Sequence, residues 1–284
     1  MKTIKNFNLT EYNSYGIKSF CSRAFFPESE DDIIEIYKNS KSNIIVLGNG
    51  NNTILSKDYY DEEFIIFNNN FDNISEKDNI IEAESGATLY QLSNFALQNS
   101  LTGAEFCFDI PSSVGGAVVM NAGTKEGEIK NILQKVRYLD LINLEIKERN
   151  NTEIEFGYRN SFFQENRNKI ILKAWFGLGI GDKCKIRANM DKSRKRRWER
   201  QPREYPNCGS VFKRPPGRFV GPMIDELGLK GFTIGGAQIS QKHSGFIINV
   251  GCATGKDILA VINEVKLRVK EKHGIELEVE QRIV

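Results

Sequence analysis

Asp109-Ile110-Pro111-Ser112-Ser113-Val114-Gly115-Gly116-Ala117-Val118-Val119-Met120-Asn121-Ala122-Gly123 is the stretch on which the fold turns. Hydroxyls and paired glycines precede a run of small residues. Small side chains leave room for a backbone to pass tightly beneath a flat cofactor, and glycine lets amide groups come close to a phosphate. Taken alone, the same pattern suits a helix start packed against a sheet.

A second loop stands upstream, at Val46-Leu47-Gly48-Asn49-Gly50-Asn51-Asn52. It follows the apolar strand expected over Asn43 to Leu47. No third glycine opens a helix, so it is not G-x-G-x-x-G, and it lacks the G-K-[ST] of a P-loop. A lone Gly/Asn loop is usually a turn. Two loops of this kind in one chain point to a dinucleotide site.

Working outward, Asp31 to Asn39 has helical spacing through Ile33, Ile34, Ile36 and Tyr37. Ile80 to Glu84 reads as a strand ending at Gly86, and Leu89 to Gln98 as a helix through Leu92, Phe95 and Ala96. Val136 to Leu141 and Lys169 to Gly177 read as strands. Charge density rises over Lys183 to Arg203, which marks a domain boundary. Lys256 to Lys272 carries one apolar stripe of Ile258, Val261, Ile262, Val265 and Val269. Thr254 with Asp257 forms a capping pair, and Gly274 is a C-terminal stop. Gly274 to Arg282 alternates as a strand, with Glu276, Glu278 and Glu280 on one face.

Composition sets the class. The chain has 284 residues, 40% hydrophobic and 27% charged, which is ordinary for a folded protein of two domains or one large one. A net charge of +2 gives no global field for nucleic acid. No apolar run reaches membrane-spanning length, and the N-terminus lacks a signal-peptide core. Five cysteines without C-x-x-C spacing argue against a disulfide framework or a structural zinc site, and a reducing cytoplasm is expected.

Several polar residues have both a bland and a chemical reading. Arg159 in Phe156-Gly157-Tyr158-Arg159 is by default a solvated or ion-paired side chain, but a guanidinium also offers a planar fork to a carboxylate. Ser210 in Cys208-Gly209-Ser210 is by default a turn hydroxyl. No G-x-S-x-G surrounds it and the chain has 2 histidines, so a hydrolase triad finds little support. Cys208 reads as a small packed residue whose oxidation is worth testing. The basic run Ser193 to Pro202 suits a solvated helix end or, alternatively, nucleic acid.

In order and spacing, several blocks resemble the UDP-N-acetylenolpyruvoylglucosamine reductase family. They are the GNGNN loop at 48–52, SGATLYQLSNFALQNSLTGAEF at 85–106, the 109–123 loop, FGYRNSFF at 156–163, GSVFKRP at 209–215 and ELGLKGFTIGGAQISQKHSGFIIN at 226–249. The likeness runs from about Tyr12 to the C-terminus. It departs from the family pattern at the Asn-rich first loop, where Asn49, Asn51 and Thr53 stand. Ser112 replaces a usual glycine, Arg214 a common asparagine, and Val279 the proline before the glutamate. The short interval from Arg159 to Ser210 resembles the class without a tyrosine-bearing loop.

The resemblance implies an α+β fold. An FAD-binding domain of the vanillyl-alcohol-oxidase (PCMH) type in two subdomains would span 1–190, and a smaller α+β substrate-binding domain 191–284. It implies catalytic roles for Arg159, Ser210 and Glu280, with Glu278 as the competing carboxylate. It implies FAD contacts at Gly48, Asn49, Gly50, Asn51, Asn52, Gly86, Ile110, Pro111, Ser112, Ser113, Gly115, Gly116 and Ala117. Substrate contacts are implied at Tyr158, Arg197, Arg200, Lys213, Arg214 and His243, with no metal site. FAD is expected to be non-covalent, since neither loop holds a histidine or cysteine. NADPH is the implied reductant and UDP-N-acetylglucosamine enolpyruvate the implied substrate, with no nucleic acid, membrane or obligate protein partner. A flavin oxidase of the same fold acting on a sugar or alcohol is the alternative.

Overall fold

Leu133–Asp140 and Lys169–Gly177 pair antiparallel at the middle of a five-stranded sheet. Its order is Glu145–Asn150, Leu133–Asp140, Lys169–Gly177, Ile80–Glu84 and Ile74–Lys77, antiparallel throughout. Side chains alternate between faces, so an apolar run such as Ile170-Ile171-Leu172 must be covered on both sides. Ile171 joins Val136, Tyr138, Ala174 and Phe176 in a core shared with Leu89, Leu92, Val114 and Val118. Ile170 and Leu172 join Leu139 in a second core with Ile33 and Ile36. The helices Leu89–Gln98 and Val114–Val119 thus lie on one face and Glu30–Asn39 on the other.

These elements belong to the first of two units into which the computed structural model of residues 1–284 divides. That unit comprises 1–3, 24–49 and 64–197, and the second comprises 4–23, 50–63 and 198–284. In the second unit, Thr233–Ile234, Ala237–Ile239 and Ile247–Asn249 form a three-stranded antiparallel sheet. The helix Gly255–His273 packs on it and on the helix Val220–Glu226 through the buried stripe Ile258, Val261, Ile262, Val265 and Val269.

Local chemistry explains the boundaries. Thr254 and Asp257 form a full capping box, and Gly274 closes the helix in the left-handed region at φ +67°. Thr88 and Gln91 do the same at the start of Leu89–Gln98. Ser29 caps Glu30–Asn39 by accepting from Asp32 N. Each such cap contributes about 1 kcal/mol.

The C-terminal strand expected from alternation is shorter than its pattern. Val279 makes a single bridge to Phe212, and regular pairing occurs only at Arg282–Ile283, parallel to Thr53–Ile54. Alternation holds up to Glu278, with Leu277 buried between exposed Glu276 and Glu278, but Glu280 is half-buried. No helix is long and apolar enough to cross a membrane.

Candidate active site

In the first unit the two loops read from sequence touch. A Cβ built on Gly48 would stand 2.5 Å from Ser113 Oγ. Ser113 is itself buried and caps the helix Val114–Val119, accepting from Gly116 N at 3.3 Å. The loop before it is pinned to the turn that follows the strand Ile80–Glu84. Val114 N donates to Ala87 O at 2.7 Å, Gly115 N to Ser85 O at 3.0 Å, and Leu89 N to Ser112 O at 2.9 Å. Ile110 N donates to Cys107 O at 3.1 Å, and Pro111 lies exposed between the pinned ends.

Glycine is required here by close approach. A Cβ on Gly115 would stand 2.8 Å from Ser85 Oγ, and one on Gly86 would stand 2.0 Å from Asn70 O. The donor chemistry fits an FAD diphosphate: hydroxyls, amides and glycine backbone, with no acidic side chain in 48–52 or 110–117. Gly48, Asn49, Ile110, Ser112, Gly116 and Ala117 lie in this layer of loops.

Arg159 sits at the tip of a tight turn closed by Gly157 N to Asn160 O at 3.0 Å. Its φ of +53° is left-handed, unusual for a side chain with a Cβ. Its guanidinium donates to Gly123 O at 2.9 Å and Asn121 O at 3.4 Å, and lies 5.3 Å from the ring of the exposed Tyr158. Asn121 is fully buried and organises the turn. Its Nδ2 donates to Gly157 O and to Glu128 Oε2, each at 3.0 Å, and its Oδ1 accepts from Lys130 N at 3.1 Å. In the sequence, Asn121 is marked only by its place in a small-residue stretch, between the short helix and Ala122-Gly123.

The basic helix Lys183–Arg200 does not present a uniform charged face. Arg197 pairs with Asp109 at 3.2 Å, beside the serine loop. Arg196 pairs with Glu126, and its hydrogen bond is the main reason that carboxyl is lowered to about 2. Arg200 is exposed.

In the second unit, Ser210 and Glu280 come together from distant parts of the chain. Gly209 turns the backbone at φ +77°, and Ser210 follows it exposed. Glu280 N donates to Val211 O at 2.8 Å, and Lys213 N to Glu278 O at 2.9 Å, so the C-terminal segment runs along the serine segment. Glu278 is exposed and its carboxylate is 2.6 Å from Lys213 Nζ.

The later part of the Gly/Asn loop joins the same cluster. Asn52 Nδ2 donates to Glu280 O at 3.2 Å, and Asn51 Nδ2 to Ser14 Oγ at 2.5 Å. Gly50 has φ +64°, and a Cβ there would stand 2.1 Å from Tyr12 O.

Cys208 is buried, with its thiol 3.5 Å from Gly50 O and 3.4 Å from Thr53 O. Burial pushes that thiol up to about 12, so it is a packed donor rather than a reactive thiolate. His243 is half-buried, stacked edge-on against Phe246 at 4.7 Å, with Nδ1 accepting from Gly245 N at 3.2 Å. Desolvation lowers its pKa, which favours neutral imidazole. Arg214 is exposed and lies 4.5 Å from the Phe219 ring.

The loop layer has the character of a flavin-binding protein, and residues 22–144 match the family described as "FAD binding domain". Residues 201–284 match "UDP-N-acetylenolpyruvoylglucosamine reductase, C-terminal domain". A Francisella tularensis protein named UDP-N-acetylenolpyruvoylglucosamine reductase is 41% identical over 279 residues, covering 98% of each chain. One of that name from Pediococcus pentosaceus is 44% identical over 262 residues, covering 91% of this chain and 86% of that protein. The crystal structure of the enzyme of that name from Thermus caldophilus superposes with a TM-score of 0.81 at 28% identity, over 99% of this chain and 98% of the other. The chain belongs to the UDP-N-acetylenolpyruvoylglucosamine reductase family, and it is an α+β flavoprotein oxidoreductase.

Proposed function

We propose that this chain reduces UDP-N-acetylglucosamine enolpyruvate to UDP-N-acetylmuramate in peptidoglycan precursor synthesis, with NADPH as reductant. Family membership along the whole chain supports this reading, as does the pairing that sets Glu280 on the serine segment. Residues 1–190 would form the FAD-binding domain and 191–284 the substrate-binding domain, although 4–23 and 50–63 fall in the same compact unit as 198–284. FAD, held non-covalently, supplies the hydride-transfer chemistry. Gly48, Asn49, Gly50, Asn51, Asn52 and Gly86, with Ile110 to Ser113 and Gly115 to Ala117, would hold it.

The remaining chemistry falls to side chains. Reduction of an enolpyruvyl ether leaves an enolate-like carbon beside a carboxylate. Arg159, held by two carbonyls, would stabilise that negative charge. Ser210 would deliver the proton; an alcohol is a weak acid, and only so basic an acceptor makes it competent. Glu280 is the better carboxylate partner than Glu278, because Glu278 is exposed and engaged with Lys213. Arg197 and Arg200 would meet the diphosphate, and Tyr158, Lys213, Arg214 and neutral His243 would orient the substrate. Five unpaired cysteines suit a reducing cytoplasm.

The test is direct. Purified protein should absorb in the visible as a flavoprotein, release FAD on acid precipitation, and oxidise NADPH only when the enolpyruvyl sugar nucleotide is present. A colourless protein that FAD cannot reconstitute would sink the reading.

A further inference from the structure

Gln281 is a polar side chain in the wrong place for a surface strand: it is 3% exposed, directly after Glu280. Its Nε2 lies 3.1 Å from Cys208 O, 3.3 Å from Gly209 O and 3.4 Å from Ser210 O. One amide group thus collects the three consecutive carbonyls of the turn that presents Ser210. Its Oε1 accepts from Tyr15 Oη at 2.9 Å, and Tyr15 is fully buried. A cluster of carbonyls on one side and a phenol on the other permits only one orientation of the amide. The phenol cannot become an acceptor by ionising, because burial, and then the neighbouring Cys208, raise its pKa well above that of an ordinary tyrosine. Tyr15, whose hydroxyl meets the amide, and Cys208, whose thiol donates to Gly50 O and Thr53 O beside it, therefore both stay protonated donors.

We propose that Gln281, oriented by Tyr15, is a positioning residue that fixes the Cys208–Ser210 turn and so aims the Ser210 hydroxyl. The proposal rests on Ser210 being the proton donor of the reaction above. It adds a device that the catalytic side chains do not contain. Gln281 ties the serine turn to the segment carrying Glu280, while Asn52 ties Glu280 O to the Gly/Asn loop. Two side-chain amides, the buried Gln281 and the half-buried Asn52, therefore link the donor turn, the backbone that carries Glu280 and the later part of that loop. Unpaired buried carbonyls are costly, so removing the amide should release the turn rather than leave it in place.

Three variants of the FAD-loaded enzyme test this: Gln281→Leu, Gln281→Glu and Tyr15→Phe. Stopped-flow absorbance would follow flavin reduction by NADPH and reoxidation by the enolpyruvyl sugar nucleotide separately. Gln281→Leu should slow reoxidation by roughly tenfold or more, within the hundredfold scale of a 1 Å misplacement, and leave reduction unchanged. Tyr15→Phe should slow the same step less. Gln281→Glu supplies the readout that a merely structural role would not move. A buried acid facing three carbonyls is held neutral and can donate to one of them. As pH rises and it ionises, that donor is lost, so its reoxidation rate should fall with a pH dependence absent from the wild type.

Hydrogen–deuterium exchange of the peptide covering 207–213 gives a second reading that does not depend on activity. Exchange there should rise in Gln281→Leu. If wild-type enzyme is not reoxidised by the sugar nucleotide, the proposed reaction fails; faster exchange would still establish the fixing of the turn. Unchanged exchange in Gln281→Leu, or wild-type reoxidation with no pH limb in Gln281→Glu, would overturn the proposal.

Discussion

Asn121 offers the sharpest separation of packing from backbone strain. It is fully buried and makes hydrogen bonds to Gly157 O, Glu128 Oε2 and Lys130 N, and its own φ is +44°. Truncation strands Lys130 N, leaves Gly157 O with only the long bond from Asn160 N at 3.4 Å, and removes a bond to a charged but half-exposed carboxylate, at about 1 kcal/mol each. Asn121→Gly should therefore lose about 3 kcal/mol. Asn121→Ala loses the same bonds and adds a left-handed residue with a Cβ, a further cost of about 1 kcal/mol. Equilibrium urea unfolding of the two variants reads the difference as a displaced midpoint at constant slope. Both should also lose turnover, because Gly157 O and Asn121 O frame Arg159. An alanine variant as stable as the glycine variant would refute the strain argument. A glycine variant as stable as wild type would refute the hydrogen-bond argument.

Other consequences can be checked individually. Ser210→Ala should leave flavin reduction by NADPH nearly unchanged and slow reoxidation by substrate about a hundredfold or more; stopped-flow loss of the reductive step instead would move the proton donor elsewhere. Gly48→Ala pushes a methyl to within 2.5 Å of Ser113 Oγ, so FAD affinity should fall on fluorescence titration. Gly48→Ala with Ser113→Ala should recover part of it, and equal loss in both would place the clash elsewhere. Asp140 is held well below the usual carboxylate range, first by its hydrogen bond from Lys169 and then by Lys147. A depressed folded-state pKa contributes stability above the unfolded value near 4 and loses it as pH falls toward the folded one. Asp140→Asn should flatten the stability curve below about pH 4, and an unchanged acid limb in urea unfolding would contradict the assignment.

The fold was legible wherever periodicity and punctuation agreed. Leu89–Gln98 and Lys169–Gly177 lie where the apolar spacing put them, and Thr254, Asp257 and Gly274 marked both ends of the long helix. Alternation overextended the C-terminal strand, because pattern shows which face is buried but not whether a neighbouring backbone is there to pair. The contact between Gly48 and Ser113 was inferable only as shared chemistry. Asn121, Gln281 and Tyr15 were missed for a common reason: a buried polar residue is meaningful through its partners, and Tyr15 and Gln281 meet from opposite ends of the chain. Their sequence neighbours give no sign of that meeting.

The proposed reaction requires bound flavin to pass its electrons to an enolpyruvyl sugar nucleotide. The most direct measurement bleaches the flavin with NADPH under anaerobic conditions, removes the excess, and adds UDP-N-acetylglucosamine enolpyruvate. Full return of flavin absorbance, with one UDP-N-acetylmuramate formed per flavin, is the predicted result. Flavin that stays bleached with the sugar nucleotide and then reoxidises fast when oxygen is admitted would rule out that reaction and favour an oxidase of the same fold.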